Sequence, residues 1–208
     1  MNIFYLDDDP KKAAQAHYDI HVRKMILETA QLLSTAHRVL DGEETTMIDK
    51  AGRRRKTYIF KDNRENLYYK STHINHPSAK WVRESSENYK WAYSLYIELL
   101  EEYEYRFGKS HKTSELKESL FSLPMNIKKG PFTNPPNAMD KEFIVNHESP
   151  LDNYRNYYSK GKRKFMKYTK RNSGPSWLKD WRLKRSASIL TTFSGRSHRP
   201  QAFCYTKW

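Results

Sequence analysis

The chain has little of several things that would place it quickly. Its one cysteine, Cys204, stands alone among 208 residues. That excludes an intramolecular disulfide and a cysteine-based zinc site within one chain, and it fits a reducing compartment. No apolar run approaches the roughly 18 residues needed to cross a bilayer, so no membrane partner is expected. The opening MNIFYLDDDP has neither a basic segment nor a long apolar stretch, so no signal peptide is read there. No internal repeat stands out. Carboxylates are scarce in one region: from Leu151 to Trp208 only Asp152 and Asp180 face fifteen Lys and Arg, so nearly all of the formal net charge of +14 lies there. The first 150 residues are close to neutral.

What remains is a polar chain, with a mean hydropathy of −0.97, that is nonetheless 14% aromatic, including fifteen Tyr and five Trp. That aromatic content argues against wholesale disorder, and the length suffices to bury a core. Tyr and Trp supply apolar area with a polar tip, as surfaces that stack on bases or line wet clefts do. A near-neutral body followed by a basic region points to a polyanion, with nucleic acid ahead of an anionic membrane surface. The plainer reading is a solvated, charged tail.

Periodicity and punctuation predict a mainly α protein: a single-domain helical bundle with a cleft and a small β-hairpin over residues 1–150. A basic aromatic C-terminal arm, 151–208, is expected to pack on that core and contact nucleic acid. NIFYL reads as an extended opening. A first helix begins at Asp9-Pro10, a cap followed by a residue suited to the first helical position, and runs to Leu40 before Asp41-Gly42, with a kink near Ser34 and Thr35. TTMIDKAGRRRKTYIF reads as a hairpin around DKAG. A second helical region starts near Pro77, breaks at Ser85-Ser86 and ends at Gly108. Its buried face carries Trp81, Ser85, Asn88, Ala92, Leu95 and Leu99, with Tyr96 and Tyr103 alongside. TSELKESLFSL is a shorter helix stopped by Pro124, residues 124–139 form a proline-rich loop, and 152–171 are at least partly helical. The last dozen residues read as a tail in which Cys204 is incidental.

The stretch HYDIHVRKMILE, residues 17–28, places His17, His21, Lys24 and Glu28 within roughly 60° of one another on a helix. Gln31 and Thr35 continue the stripe. Ile20 and Leu27 flank it on one side, Tyr18, Met25 and Leu32 on the other, and Val22, Ile26 and Leu33 lie opposite. Only Asp19, Arg23, Ser34 and His37 are left as a solvent face. A helix apolar nearly all round is a central one, and a titratable stripe walled by apolar groups needs partners or a cavity. Lys24 and Glu28, paired at i, i+4, offer an amine nucleophile or acid beside a carboxylate. His17 and His21 can move protons or hold a phosphate near neutral pH. The bland reading is an internal network that fixes packing. A third reading, a metal held by the His-x3-His spacing, Glu28, His73 and His76, is opposed by the cation of Lys24 within the set. No metal or other cofactor is expected.

Two further groups suit a polyanion. In THINHPSAKWVRE, His73 and His76 precede a helix whose first amides can receive an anion, with Lys80, Arg83 and Trp81 adding cations and a stacking surface. In YRNYYSKGKRKFMKYTKR, Tyr154, Tyr157, Tyr158, Phe165 and Tyr168 alternate with Arg155, Lys160, Lys162, Arg163, Lys164, Lys167, Lys170 and Arg171. Cations contact phosphates and rings accept an unstacked base. An ordinary amphipathic helix with a basic exposed face gives a similar pattern.

Taken in order, QAHYDIHVRKMILE, HPSAKWVRESSENYKWAYSLYIELLEEYEYRFGK and YRNYYSKGKRKF resemble small proteins of tailed phages and, more distantly, the phage pyrimidine-dimer DNA glycosylase family. The likeness covers most of residues 1–170 as order and residue type. It implies an all-α single domain with a His and then a catalytic Glu on an early helix, in a phage-encoded protein acting on DNA in the host cytoplasm. The family's nucleophile is an N-terminal α-amine freed by removal of Met; residue 2 here is Asn. The family's Glu follows an Arg directly, seven residues after the helix His. Arg23 keeps the Arg position, Lys24 follows it, and the carboxylate arrives one turn later as Glu28, which leaves Lys24 as the candidate Schiff-base amine. The expectation is therefore a DNA glycosylase-like or base-modifying enzyme with His17, His21, Lys24 and Glu28 as its catalytic group. Arg23, His73, His76, Lys80, Trp81 and Arg83 would position DNA, and Arg155, Tyr157, Tyr158, Lys160, Lys162, Arg163, Lys164 and Lys167 would grip its backbone. The alternatives are a metal-assisted nuclease or phosphohydrolase and a non-enzymatic phage DNA-binding accessory protein.

Overall fold

The computed structural model describes residues 2–171 and 174–178. Within them the chain is mainly α, with one two-stranded antiparallel sheet. One compact unit extends to Gly174, and a second begins at Pro175, where Ser176–Leu178 form a 3-10 turn. The body therefore does not stop at residue 150. The basic arm beyond 178, with the terminal tail and Cys204, lies outside the described residues. No helix among the described residues is long and apolar enough to cross a membrane.

An extended segment opens the chain and buries Ile3, Phe4, Tyr5 and Leu6. Helix α1, Pro10–Ala16, starts as predicted, with the Asp9 side chain accepting from the Lys11 amide at 2.8 Å and Pro10 in the first turn. It ends much earlier than expected. His17 and Tyr18 are extended, and a new helix, α2, runs over Asp19–Asp41 without a break at Ser34 or Thr35. Two distant groups make that break: the Tyr18 amide donates to the Tyr158 hydroxyl at 3.2 Å, and the Asp19 amide donates to the Lys167 carbonyl at 2.8 Å.

Antiparallel strands β1, Glu43–Ile48, and β2, Arg54–Ile59, form the predicted hairpin, with Met47 opposite Arg55 and Ile48 opposite Arg54. After the short α3, Arg64–Leu67, helix α4, Pro77–Val82, is followed by α5, Ser86–Phe107. The break between them falls at Ser85, whose hydroxyl accepts from the Asn88 amide at 3.2 Å. Gly108 closes α5 at φ 67°, a left-handed position that glycine takes without a steric cost. A 3-10 turn, Lys112–Leu116, leads into α6, Lys117–Phe121, so the predicted third helix is α-helical only in its second half. The last α-helix among the described residues, α7, Pro150–Gly161, belongs to the body and buries Asn153, Tyr154 and Tyr158.

Helix α2 packs on α4 and α5, and α1 also packs on α5. Val22, Ile26, Leu32 and Leu33 meet a core that includes Tyr89, Leu95, Tyr96 and Leu99, all buried. Each such side chain contributes about 1.5–3 kcal/mol. The expected solvent face of α2 is mostly interior: Asp19, Ser34 and His37 are buried, and only Arg23 is exposed. Asp19 is buried because the Arg106 guanidinium lies 3.0 Å away, and His37 because it meets the Tyr89 hydroxyl at 2.8 Å and stacks on Tyr68.

Candidate active site

The titratable stripe of residues 17–28 divides in two. His17 is the C-cap of α1 and lies off α2 altogether, with Nδ1 2.7 Å from the Ala13 carbonyl. His21 lies on α2 inside an aromatic cluster, 4.2 Å from the Tyr18 ring and 4.4 Å from Phe4, centroid to centroid. Its Nδ1 is 3.0 Å from the Tyr158 hydroxyl. Burial pushes the His17 pKa down to about 4, with the Arg106 cation acting in the same sense and the Ala13 carbonyl opposing. Burial, then the neighbouring His17, takes His21 to about 2. Both rings are neutral at pH 7 and enclosed. They pack, and they do not reach a phosphate or a substrate, contrary to the expected four-membered catalytic group.

Lys24 and Glu28 face the surface instead. The Lys24 side chain is 61% exposed and its Nζ is 3.2 Å from Glu28 Oε1, whereas the Glu28 side chain is only 14% exposed. The other carboxylate oxygen, Oε2, accepts the backbone N–H of Asn2 at 3.0 Å. That nitrogen is held in place by its own side chain. Asn2 Nδ2 donates to the Ala138 carbonyl at 2.8 Å, while Oδ1 accepts from the Ser78 hydroxyl at 3.2 Å and the Tyr154 hydroxyl at 3.1 Å. Helix α4, helix α7 and the long loop between α6 and α7 thus converge to fix residue 2 against Glu28.

A cavity of about 530 Å³ is lined among others by Met47, Arg55 and Lys56 of the hairpin and by Ser71, His73 and His76. His76 caps α4, its Nδ1 accepting from the Ser78 amide at 3.2 Å, which leaves the proton on Nε2. Burial lowers its pKa, with neighbouring His73 acting in the same sense and the Glu28 carboxylate opposing more weakly. His73 is exposed at φ 48°, a left-handed conformation that costs a non-glycine residue about 1–3 kcal/mol. Its Nδ1 lies 2.7 Å from the Thr72 hydroxyl.

Several residues expected to touch DNA are structural. Trp81 is buried and donates Nε1–H to the Thr133 carbonyl at 2.9 Å. The Arg83 guanidinium donates to the Ala79 and Ile74 carbonyls, both at 2.7 Å, and so holds the cavity wall near His73. Tyr158 is fully buried, and Arg155 binds the Leu6 carbonyl and Asp7. Tyr157 is half-buried between Phe4 and Phe143, with Lys162 Nζ 4.9 Å from its ring. The α7 run does not form a stacking face, because Tyr154 and Tyr158, one turn apart, point into the core. Arg23, Lys80, Lys160, Arg163, Lys164 and Lys167 are exposed, as a phosphate contact requires.

Sequence reasoning passes over Arg55 and Lys56, for which the run RRRK at 53–56 is the available signal. The resemblance marks residue 2 as the place of a nucleophile, but not the contacts that fix Asn2, whose side-chain and carboxylate partners Glu28, Ser78, Ala138 and Tyr154 lie 26 to 152 residues away. Among the described residues, no three of His, Cys, Asp or Glu form a group that could hold a metal ion. Comparison of the chain with protein-family models, with curated proteins and with solved structures gave no match.

Proposed function

We propose that the protein acts on DNA bases by amine chemistry of the glycosylase type, with Glu28 as its central carboxylate. One observation carries this reading: a single, largely buried carboxylate meets two nitrogens, Lys24 Nζ and Asn2 N, and acts on His76, which lines a cavity with basic walls. With Met1 in place the Asn2 nitrogen is an amide, and Lys24 is the amine; removal of Met1 makes the Asn2 nitrogen a second amine on the same carboxylate. In the step envisaged, the amine attacks C1′ of the deoxyribose, and the base leaves with the bonding pair and takes a proton from water. The amine passes a proton to Glu28, which returns it to O4′ as the sugar ring opens to an imine. The exposed cations Lys80, Lys160, Lys164 and Lys167 suit the phosphate backbone. The motif order that resembles the phage pyrimidine-dimer glycosylases is in keeping with the same chemistry.

The test is borohydride trapping on undamaged, ultraviolet-irradiated, abasic and phage-modified duplexes. A covalent adduct is expected, and Glu28→Gln should lower its yield by about tenfold or more, as loss of a general acid–base does. Loss of the adduct in Lys24→Ala assigns the nucleophile to Lys24, and loss on N-terminal acetylation after Met removal assigns it to residue 2. DNA binding with no adduct on any duplex overturns the reading.

A further inference from the structure

We propose that the β-hairpin is a wedge for duplex DNA: Met47 enters a base step beside the cavity, Ile48 packs against the groove on the opposite face of the ribbon, and the cations of the ribbon hold the flanking phosphates. This rests on the DNA-directed reading above and adds the means by which a base would leave the helix. Of the twelve residues in the two strands, only Thr57 is buried. Met47 is 50% exposed and Ile48 68% exposed, so neither fills a core. A bare two-stranded ribbon is marginal by itself in water, and this one is held at both ends. At its root the buried Arg38 donates to the Tyr58 carbonyl at 3.1 Å, and the Thr57 and Ser71 hydroxyls meet at 3.2 Å. At its tip Asp49 accepts from the Ala51 and Arg53 amides at 2.9 and 3.0 Å and from both the Arg53 and Arg55 guanidinium groups. Gly52, at φ 75°, completes the turn. The tip is ordered by its own hydrogen bonds while its apolar side chains stay in water.

The register gives the ribbon its working faces. Met47 stands opposite Arg55, and both line the cavity; Ile48 stands opposite Arg54 on the other face. Each face therefore sets one apolar side chain directly across from a guanidinium. Between Glu43 and Lys61 six cations stand against three carboxylates, and Lys50 and Arg54 form no ion pair among the described residues. A two-stranded ribbon fits a DNA groove, and apolar side chains flanked by Arg are the chemistry that unstacks base steps. An extruded base needs a pocket next to the point of extrusion, and Met47 is itself part of the cavity wall.

The experiment uses duplexes carrying 2-aminopurine, whose fluorescence rises when it unstacks, with trapping on an abasic duplex in parallel. Wild-type protein is expected to raise the fluorescence, and Met47→Ser with Ile48→Ser to cut that rise by about fivefold while changing Kd less than about threefold. Lys50→Gln with Arg54→Gln should weaken binding and flatten the salt dependence of log K by about two. Because these side chains are exposed, each variant should keep the wild-type melting temperature. Full fluorescence in the serine variant overturns the wedge. So does a dimer that the serine variant dissolves with its DNA signal intact, since the hairpin is then a contact between copies. An abasic adduct with no hairpin-dependent fluorescence removes the wedge and leaves the amine chemistry standing; hairpin-dependent fluorescence with no adduct does the reverse.

Discussion

His21 and Glu28 lie seven residues apart on one face of α2, about 10 Å along the axis, yet they occupy different media. The opening extended segment makes the difference. Its side chains alternate, so residue 2 and residue 4 lie on the same side. Phe4 lays a ring 4.4 Å from the His21 imidazole, whereas Asn2 turns a backbone N–H toward Glu28 at 3.0 Å. One end of the stripe is therefore covered by hydrocarbon and forced neutral. The other is covered by a hydrogen-bond donor, the Asn2 N–H, with a lysine in solvent on its far side. Spacing on a helix thus states which groups share a face; what lies over each group decides whether it packs or reacts.

The sharpest way to break the packed end is through its buried charges. Arg106 donates to Glu102, to Asp19 and to the Gln15 carbonyl, and Asp19 in turn accepts the Thr169 amide and hydroxyl. This group ties the α1–α2 break to α5 and to the 167–171 segment. Arg106→Ala leaves Asp19 buried without its cation, and the expected loss is about 3–5 kcal/mol in urea unfolding. A loss below about 1 kcal/mol would mean that Asp19 reaches water or another donor once the guanidinium is gone.

Acid should act next, through His17 and His21 at this end and through His37 toward the other end of α2. The folded-state pKa values of His17 and His37, each about 4, and of His21, about 2, lie below the ordinary 6.5. Between 6.5 and about 4 the unfolded chain binds more protons than the folded one, so stability is full above 6.5 and falls as the pH drops through that window. His21 continues to draw it down toward about 2. A single histidine with such a shift accounts for on the order of 3 kcal/mol once fully titrated. Denaturation followed from pH 7.5 to 4 measures this slope, and His21→Phe, which keeps the ring stack, should make it shallower. An unchanged slope would place the acid sensitivity elsewhere.

A smaller effect is expected from one oxygen. Tyr158→Phe keeps the buried ring but removes the hydroxyl that meets the Tyr18 amide and His21 Nδ1. Leaving those groups unpaired should cost about 1–3 kcal/mol by thermal or urea unfolding. It should leave the Lys24–Glu28 end untouched, which a normal yield of borohydride adduct would register.

How much of this was legible depends on how far away the partners are. Ser85, Gly108, the Asp9 cap and the DKAG turn act on residues within a few positions, so those boundaries can be read locally. Lys24 and Glu28 pair one turn apart and are equally legible. The break at His17–Tyr18 is not, because the acceptors that end the helix there come from Tyr158 and Lys167. Nor is the burial of Asp19 and His37, whose partners Arg106 and Tyr89 lie on α5. Trp81, Arg83 and Tyr158 have the residue types of a DNA contact, but the pattern leaves open which side of each helix faces the core. The resemblance marks residue 2, but the clamp on Asn2 needs three distant segments to meet and has no local trace.

The smallest structural effect carries the most chemical information. Lys24 is 61% exposed and paired with Glu28 at i, i+4, an arrangement worth about 0.3–0.5 kcal/mol. Lys24→Ala should therefore unfold within about 0.5 kcal/mol of wild type, and its loss leaves Glu28 still bonded to the Asn2 N–H. If the borohydride adduct disappears in a protein that melts normally, the lysine's role is in the reaction. If the adduct persists there and vanishes only when the residue 2 amine is acetylated, Glu28 serves the other nitrogen, and the clamp on Asn2 by Ser78, Tyr154 and Ala138 is the part of the fold that aims it. Asn2→Ala, which removes that clamp while keeping the backbone nitrogen, would then lower the yield without abolishing it.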